Sequence, residues 1–305
     1  MMARKVFNII GLAVLTALAV LAVAPLFFII YDVYTKGVPA IFALGGPWEF
    51  LTGIAPTPYD EKGGIGPMLV GTLYMTLLGS ILGFIIGFPL GVYIGEMRRE
   101  FFSKMSRAGV NVLVEFPTIT IGLFVYAVMA LSVEDLNRYL LEPLSGWLTA
   151  ALGDWVSQFV GPLSGFSAYS GALALSIVMI PYVALLTGSA YASIEQPLRE
   201  AAYSTAGREF NALFIVLRKA VSRVVLTAAL IGTAKIAGET APLLFTAFGN
   251  YYYAPFTGAT AAIPLWIYYA AQSPYDVWIT SAYGAAAVLL TIILTIFLIA
   301  RVVAR

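Results

Sequence analysis

Cysteine and histidine are both absent from this chain of 305 residues. Without cysteine there are no disulfides, thiolate metal sites or cysteine nucleophiles. Without histidine there is no Ser-His or Cys-His pair, no histidine-ligated zinc and no HExxH protease site. Charge is scarce as well. Charged residues make up 11% of the chain, against about 25% in a soluble globular protein. That leaves too little polar surface to cover a water-soluble particle of this size. The net charge of +1 carries no polyanion-binding signature, and no nucleic-acid partner is expected. A G-x-x-x-x-G-K-[ST] loop is missing too, so the chain itself cannot bind ATP in the P-loop manner. Any energy it uses then comes from another polypeptide or from an ion gradient. The residues call for no metal and no cofactor.

What is present is apolar. Hydrophobic residues are 60% of the sequence and the mean hydropathy is +0.89. These values predict an all-α integral membrane protein with one transmembrane domain in contact with lipid. A span needs about 20 apolar residues. Six stretches qualify: 7–31, 67–94, 111–131, 170–190, 222–246 and 277–300. The first begins with Arg4 and Lys5 and contains Ala22-Val23-Ala24, like a signal-peptide cleavage site. Its apolar run is longer than the usual 7–15 residues, and Pro25 follows directly, so a retained helix is expected.

Lysine and arginine placement sets the orientation. Arg98, Arg99, Lys104 and Arg107 follow the second span. Arg199, Arg208, Arg218 and Lys219 follow the fourth, with Arg223 at its edge, and Arg301 and Arg305 close the chain. The opposite loops hold few bases and many acids, among them Asp32, Glu49, Asp60, Glu134, Asp135 and Asp154. Both termini are therefore expected in the cytoplasm of a multi-pass plasma-membrane protein.

Residues 32–66 are rich in glycine and proline and read as an irregular outer loop. Residues 132–169 read as an outer amphipathic insertion. Ser132 and Asp135 resemble a capping box, and Leu144, Trp147, Leu148, Leu152, Trp155 and Phe159 share one helical face. That face either packs on the bundle or docks an outer partner. Tyr251, Tyr252, Tyr253, Trp266, Tyr268 and Tyr269 fit an aromatic belt at the membrane interface. Glu115, just before Pro117, either caps freed backbone donors, repels anions or snorkels to the surface.

Two patterns point to function. Residues 191–222 are too long and too patterned for a turn. Arg199-Glu200-Ala201-Ala202 leads to Ala206 and Gly207, then to the basic amphipathic stretch Phe214–Ala220. This reads as a short helix offered to the cytoplasm, or as an ordinary charged loop. Lys235-Ile236-Ala237-Gly238-Glu239-Thr240-Ala241-Pro242 lies inside the fifth span. Lys235 and Glu239 are four residues apart, on one helix face. Ionisable groups at membrane depth pair or line a polar path. Gly238 and Pro242 weaken the helix beside them. The pair is structural, part of a pathway, or both.

Glu200-Ala201-Ala202 with its following glycine resembles the EAA loop of ABC importer permeases. Gly238-Glu239-Thr240-Ala241-Pro242-Leu243 resembles, more specifically, the A-type (PstA-like) permease subunits of phosphate ABC importers. Gly63–Pro67, Gly71–Thr76, Gly91–Glu96, Pro117–Ile119 and Gly122–Phe124 match as well. The resemblance covers residues 63–300. It differs in placing the glycine one position late, in lacking a proline near Arg218-Lys219, and in having Lys235 where arginine is common. What it implies is a permease of MetI-like architecture that forms half of a phosphate path and hydrolyses nothing itself. Its implied partners are an ATPase that binds the ATP, a C-type permease and an extracytoplasmic phosphate-binding protein. Arg199, Glu200, Ala201, Ala202, Ala206 and Gly207 would form the ATPase dock. Lys235, Gly238, Glu239, Thr240 and Pro242 would line the path. Rival readings are an importer of another oxyanion, such as phosphonate or molybdate, and an ion-coupled secondary transporter.

Overall fold

The structure, a computed structural model, describes residues 2–304, without the side chains of residues 2–7 and 9. The Arg4 and Lys5 side chains, used in the signal-peptide reading, and Arg305, used in the orientation reading, lie outside the described residues. Among the described residues the regular elements are all helices, with one isolated bridge between Phe248 and Thr260.

Helix α1 (Met2–Ala43) does not stop at residue 31 but continues for another twelve. At about 1.5 Å per residue it is about 63 Å long, roughly twice a bilayer core. Packing on the last helix of the chain carries it through the predicted loop. Gly37 lets the backbone approach closely, since a Cβ there would lie 2.5 Å from the Tyr283 carbonyl oxygen. Tyr34 Oη and Thr291 Oγ1 hydrogen-bond across the contact at 2.9 Å. Two left-handed glycines, Gly45 and Gly46, end it. Helix α2 (Gly46–Thr52) follows, so only residues 53–65 form the irregular loop.

Helix α3 (Gly66–Glu96) matches the second span. The third expected span is cut. Helix α4 (Phe101–Glu115) ends one residue before Phe116-Pro117, and helix α5 (Thr118–Leu136) begins afresh. Proline has no N–H to give, and it pushes the preceding residue out of helical geometry. Phe116 accordingly sits at ψ 133°. Glu115 is an exposed residue of α4, outside the membrane helix.

Helix α5 also runs past residue 131. A π turn at Asn137–Leu141 joins it to helix α6 (Glu142–Leu152). Ser132 is therefore mid-helix and caps nothing. The Asn137 amide is the local anchor: Nδ2 donates to the Leu163 carbonyl at 2.9 Å, and Oδ1 accepts from Leu163 N–H at 2.7 Å. Most of the amphipathic face of the insertion does not pack on the bundle. Leu144, Trp147, Leu152 and Trp155 are exposed, whereas Leu148 and Phe159 are half-buried, Phe159 turning toward Tyr74 and Phe256.

Helix α7 (Ala168–Ala192) is the central rod. Ser167 caps it, accepting from Ser170 N–H at 3.1 Å. Gly79, Gly83, Gly87, Gly91 and Gly95 of α3 lie on one stripe against α7, where added Cβ atoms would meet Leu175, Met179, Val183, Thr187 and Tyr191. Small residues at four-residue spacing let two helices approach to backbone contact, which drives association inside lipid.

Helix α8 (Gln196–Ala206) and helix α9 (Glu209–Asn211) lie at the basic end. A π segment, Ala212–Leu217, leads into helix α10 (Arg218–Ala237). The fifth span was expected to reach residue 246, but it stops at Gly238. Helix α11 (Leu243–Thr246) and helix α12 (Ile263–Ala270) then fold back into the bundle before helix α13 (Asp276–Val303) closes it. Trp266 of α12 is core, not belt. It is 2% exposed and its Nε1 donates to Ser281 Oγ at 2.9 Å. Among the described residues five stretches, Ile10–Ala43, Gly66–Glu96, Thr118–Leu152, Ala168–Ala192 and Asp276–Val303, are long and apolar enough to span a membrane by themselves. Helix α10, whose twenty residues include Arg218, Lys219, Arg223 and Lys235, is not among them.

Candidate functional site

The helix α10 backbone breaks where Gly238 adopts φ −97°, ψ 2°. Glu239 and Thr240 are non-helical, Ala241-Pro242 turn, and α11 starts. Lys235 and Glu239 therefore do not share a helix face, as the spacing suggested. They bracket the break instead, and they still pair: Lys235 Nζ donates to Glu239 Oε1. The lysine side chain is 42% exposed and the glutamate 11%. A cation thus sits at an open face, tethered to a carboxylate rooted in the elbow.

The elbow is held firmly. Gly122 of α5 lies against Pro242, where a Cβ would come within 2.5 Å of the proline carbonyl oxygen. Thr246 Oγ1 donates to that same oxygen at 2.9 Å. Leu243 is buried beside Gly171 near the start of α7. The backbone closes on itself through Glu239 N–H to Ile236 oxygen, 3.2 Å, and Leu243 N–H to Thr240 oxygen, 3.1 Å. Gly238, Glu239 and Thr240 stay partly exposed around it. Irregular backbone at membrane depth is tolerated where protein buries it or it lines a cavity. The sequence marked Lys235, Gly238, Glu239, Thr240 and Pro242, and the fold brings all five to this elbow. Gly122 and Thr246, which clamp it, went unremarked as clamps because their partners are distant or lie across a turn.

At the basic end, Pro197 opens α8 and Gly207, at φ 68°, ends it. A left-handed residue just past a helix is the usual stop, and glycine takes it without strain. Two faces of α8 separate the predicted docking residues. Glu200 and Ala201 are exposed, together with Leu198. Ala202 is 2% exposed and packs with Val92, Tyr191, Leu217 and Val221. Arg199 also turns inward. Its Nε lies 2.8 Å from Glu96 Oε1 at the end of α3, and Nη2 donates to the Tyr191 carbonyl at 3.0 Å. Tyr203 Oη donates to Glu96 Oε1 at 3.2 Å. Burial, reinforced by the Glu96 charge, pushes the Tyr203 phenol up to about 12, so it stays a donor at neutral pH. Ala206 accepts from Asn211 Nδ2 at 3.4 Å behind the cap. Glu96 stands with Glu100 around Arg98-Arg99 in the sequence, and only the fold shows that its partner is Arg199.

The chain that carries this half-pinned helix and this charged elbow is similar in sequence to named transport proteins. A protein of Methanocaldococcus jannaschii named probable phosphate transport system permease protein PstA is 36% identical over 296 residues, 96% of this chain and 92% of that relative. The phosphate transport system permease protein PstA of Haemophilus influenzae is 28% identical over 300 residues, 98% of this chain and 94% of its own. Among solved structures, inward-facing conformations of the MetNI methionine ABC transporter match with a TM-score of 0.55 at 17% identity, covering 78% of this chain and 95% of that one, which speaks to the fold alone. Residues 87–305 fit the family described as binding-protein-dependent transport system inner membrane component, and with this coverage the chain belongs to that family.

Proposed function

We propose that this chain is a permease subunit of an ATP-driven importer for inorganic phosphate, forming half of the translocation path. The observation that carries the reading is the near full-length match to a relative named as a phosphate permease, at 36% identity over 96% of the chain. The elbow supports it, since it offers one cation and irregular backbone where an anion would pass. The family is one of transport components, so hydrolysis belongs to a partner ATPase that binds the ATP, and delivery belongs to a phosphate-binding protein outside the membrane. A C-type permease completes the path as heterodimer partner.

In this reading α10 is a sixth span, carried across by packing against α7 and α13 despite its charge. The basic end, with both termini and α8, faces the cytoplasm, because lysine and arginine concentrate there. The exposed face of α8 around Leu198, Glu200 and Ala201 sits in a groove of the ATPase, while Arg199 and Ala202 fix α8 to the permease. Lys235, Gly238, Glu239, Thr240 and Pro242 line the path. The test is uptake of labelled phosphate by the reconstituted assembly in competition with molybdate and phosphonate. ATP-dependent uptake competed only by phosphate supports the reading. Preferential uptake of another oxyanion assigns the substrate elsewhere, and uptake driven by an ion gradient without ATP overturns the mechanism.

A further inference from the structure

A groove of about 250 Å³ opens between the basic-end half of α3 and the first turns of α10. Phe84 and Phe88 form one wall. Arg218, Lys219, Ser222, Val225 and Leu226 form the other. The aromatic wall is fixed: the two rings stack with centroids 5.4 Å apart, and Phe214 abuts Phe88 edge-on at 5.9 Å. Arg218 and Lys219 are exposed at the mouth, and among the described residues neither has a carboxylate partner. Beyond the groove α3 stays apolar and open, with Ile81 48% and Ile85 61% exposed.

Two unpaired cations above an apolar slot define an amphiphile. A hydrated free anion gains nothing from Phe84, Phe88 or Leu226, and a neutral lipid gains nothing from two cations. The groove is also separate from the elbow. Leu226 and Lys235 are nine positions apart, which at about 100° per residue places them on opposite sides of α10. Basic pockets between membrane helices at the cytoplasmic side hold anionic lipid headgroups. Arginine's fork suits a phosphate and lysine adds a point charge.

We propose that this groove binds one anionic phospholipid, its headgroup phosphate on Arg218 and Lys219 and its acyl chains along Phe84, Phe88 and Leu226. The site ties the start of α10 to the membrane boundary beside α3, a role the transport reading does not assign. It holds whether or not the transported ion is phosphate.

The test is native mass spectrometry of the full chain released from nanodiscs of mixed phosphatidylglycerol and phosphatidylcholine. The unmodified chain should retain one phosphatidylglycerol in clear preference. The double change Arg218→Gln with Lys219→Gln should lower that preference by roughly thirtyfold, the effect of two basic groups at an anionic surface. Leu226→Trp, which fills the slot and keeps both charges, should also release the lipid. Equal retention of the two lipids, or an unchanged preference in the double variant, would overturn the proposal. Displacement by excess inorganic phosphate would make it a free-anion site instead. Loss of the lipid when the partner subunits assemble would make the groove a subunit interface. Either result overturns it.

Discussion

Arg199 of α8 turns its guanidinium away from water and sets Nε 2.8 Å from Oε1 of Glu96, the last residue of α3, with side chains 16% and 4% exposed. The second carboxylate oxygen, Oε2, is buried with no hydrogen-bond partner. Helix α8 is thus bolted to a membrane helix by a largely buried charge pair. Arg199→Met should destabilise the purified chain by about 3–5 kcal/mol, because it leaves a bare buried carboxylate. Adding Glu96→Gln should recover much of the loss. Thermal melting of both variants decides it, and equal melting of the single and double variants would mean the pair is not coupled.

The two alanines of the same helix should behave differently. Ala201 is exposed and Ala202 is 2% exposed. Ala201→Trp should leave the melting of the chain within about 0.5 kcal/mol, the range of ordinary surface changes, while abolishing co-purification with the ATPase. Ala202→Trp should destabilise the chain itself by about 1–3 kcal/mol through overpacking. ATPase capture by the Ala201 variant at the unmodified level would remove the docking role from this face.

The α3 stripe yields a stability prediction that needs no partner. A Cβ at Gly91 would lie 2.6 Å from Thr187 Cβ and 2.7 Å from the Ala184 carbonyl oxygen. Gly91→Val should cost about 3 kcal/mol or more, since two helix backbones must part. Gly109→Ala in α4 is the control. Nothing lies within 4 Å of a Cβ there, so alanine should add about 0.5–1 kcal/mol of helix stability. Melting midpoints moving in the same direction for both would contradict this packing.

Helix identity was legible in the sequence wherever one apolar run had one fate. The second, fourth and sixth expected spans agree with α3, α7 and α13 to within three residues. Boundaries failed where tertiary contact decides. Residues 32–43 look like part of a loop because the stretch just beyond them is crowded with glycine and proline, yet Gly37 is there to let α1 touch α13. Pro117 was read as part of a span, though its missing N–H splits that span. The elbow residues stand out by type, charge beside glycine and proline, and the fold gathers them, but their geometry was not legible, because Gly238 ends the helix that the i, i+4 argument assumes. Arg199 shows the same limit from the other side. An arginine in a basic segment reads as surface, and only the buried Glu96 opposite turns it inward.

The final prediction concerns Lys235 and Glu239. The two side chains pair across the Gly238 break, and the lysine is the more exposed partner. An anion reaching this elbow would find an ammonium whose carboxylate partner is fixed in the turn that Gly122 and Thr246 clamp. The anion would have to share the ammonium with that carboxylate, since releasing the largely buried glutamate would leave its charge unpaired and repelling the passing ion. Lys235→Ala should therefore reduce phosphate uptake by at least about tenfold, the equivalent of one lost interaction of roughly 1.4 kcal/mol, while the subunits still assemble. Lys235→Arg should retain uptake, because it keeps the charge and adds a planar fork. Lys235→Met with Glu239→Gln removes both charges together and preserves approximate volume. If the pair only braces the elbow, that double variant should transport normally and Lys235→Ala should instead lower assembly. If Lys235 serves the path, the double variant should assemble and remain inactive. Uptake and assembly measured side by side in the three variants separate the two roles, and full activity in the double variant would remove Lys235 from the path.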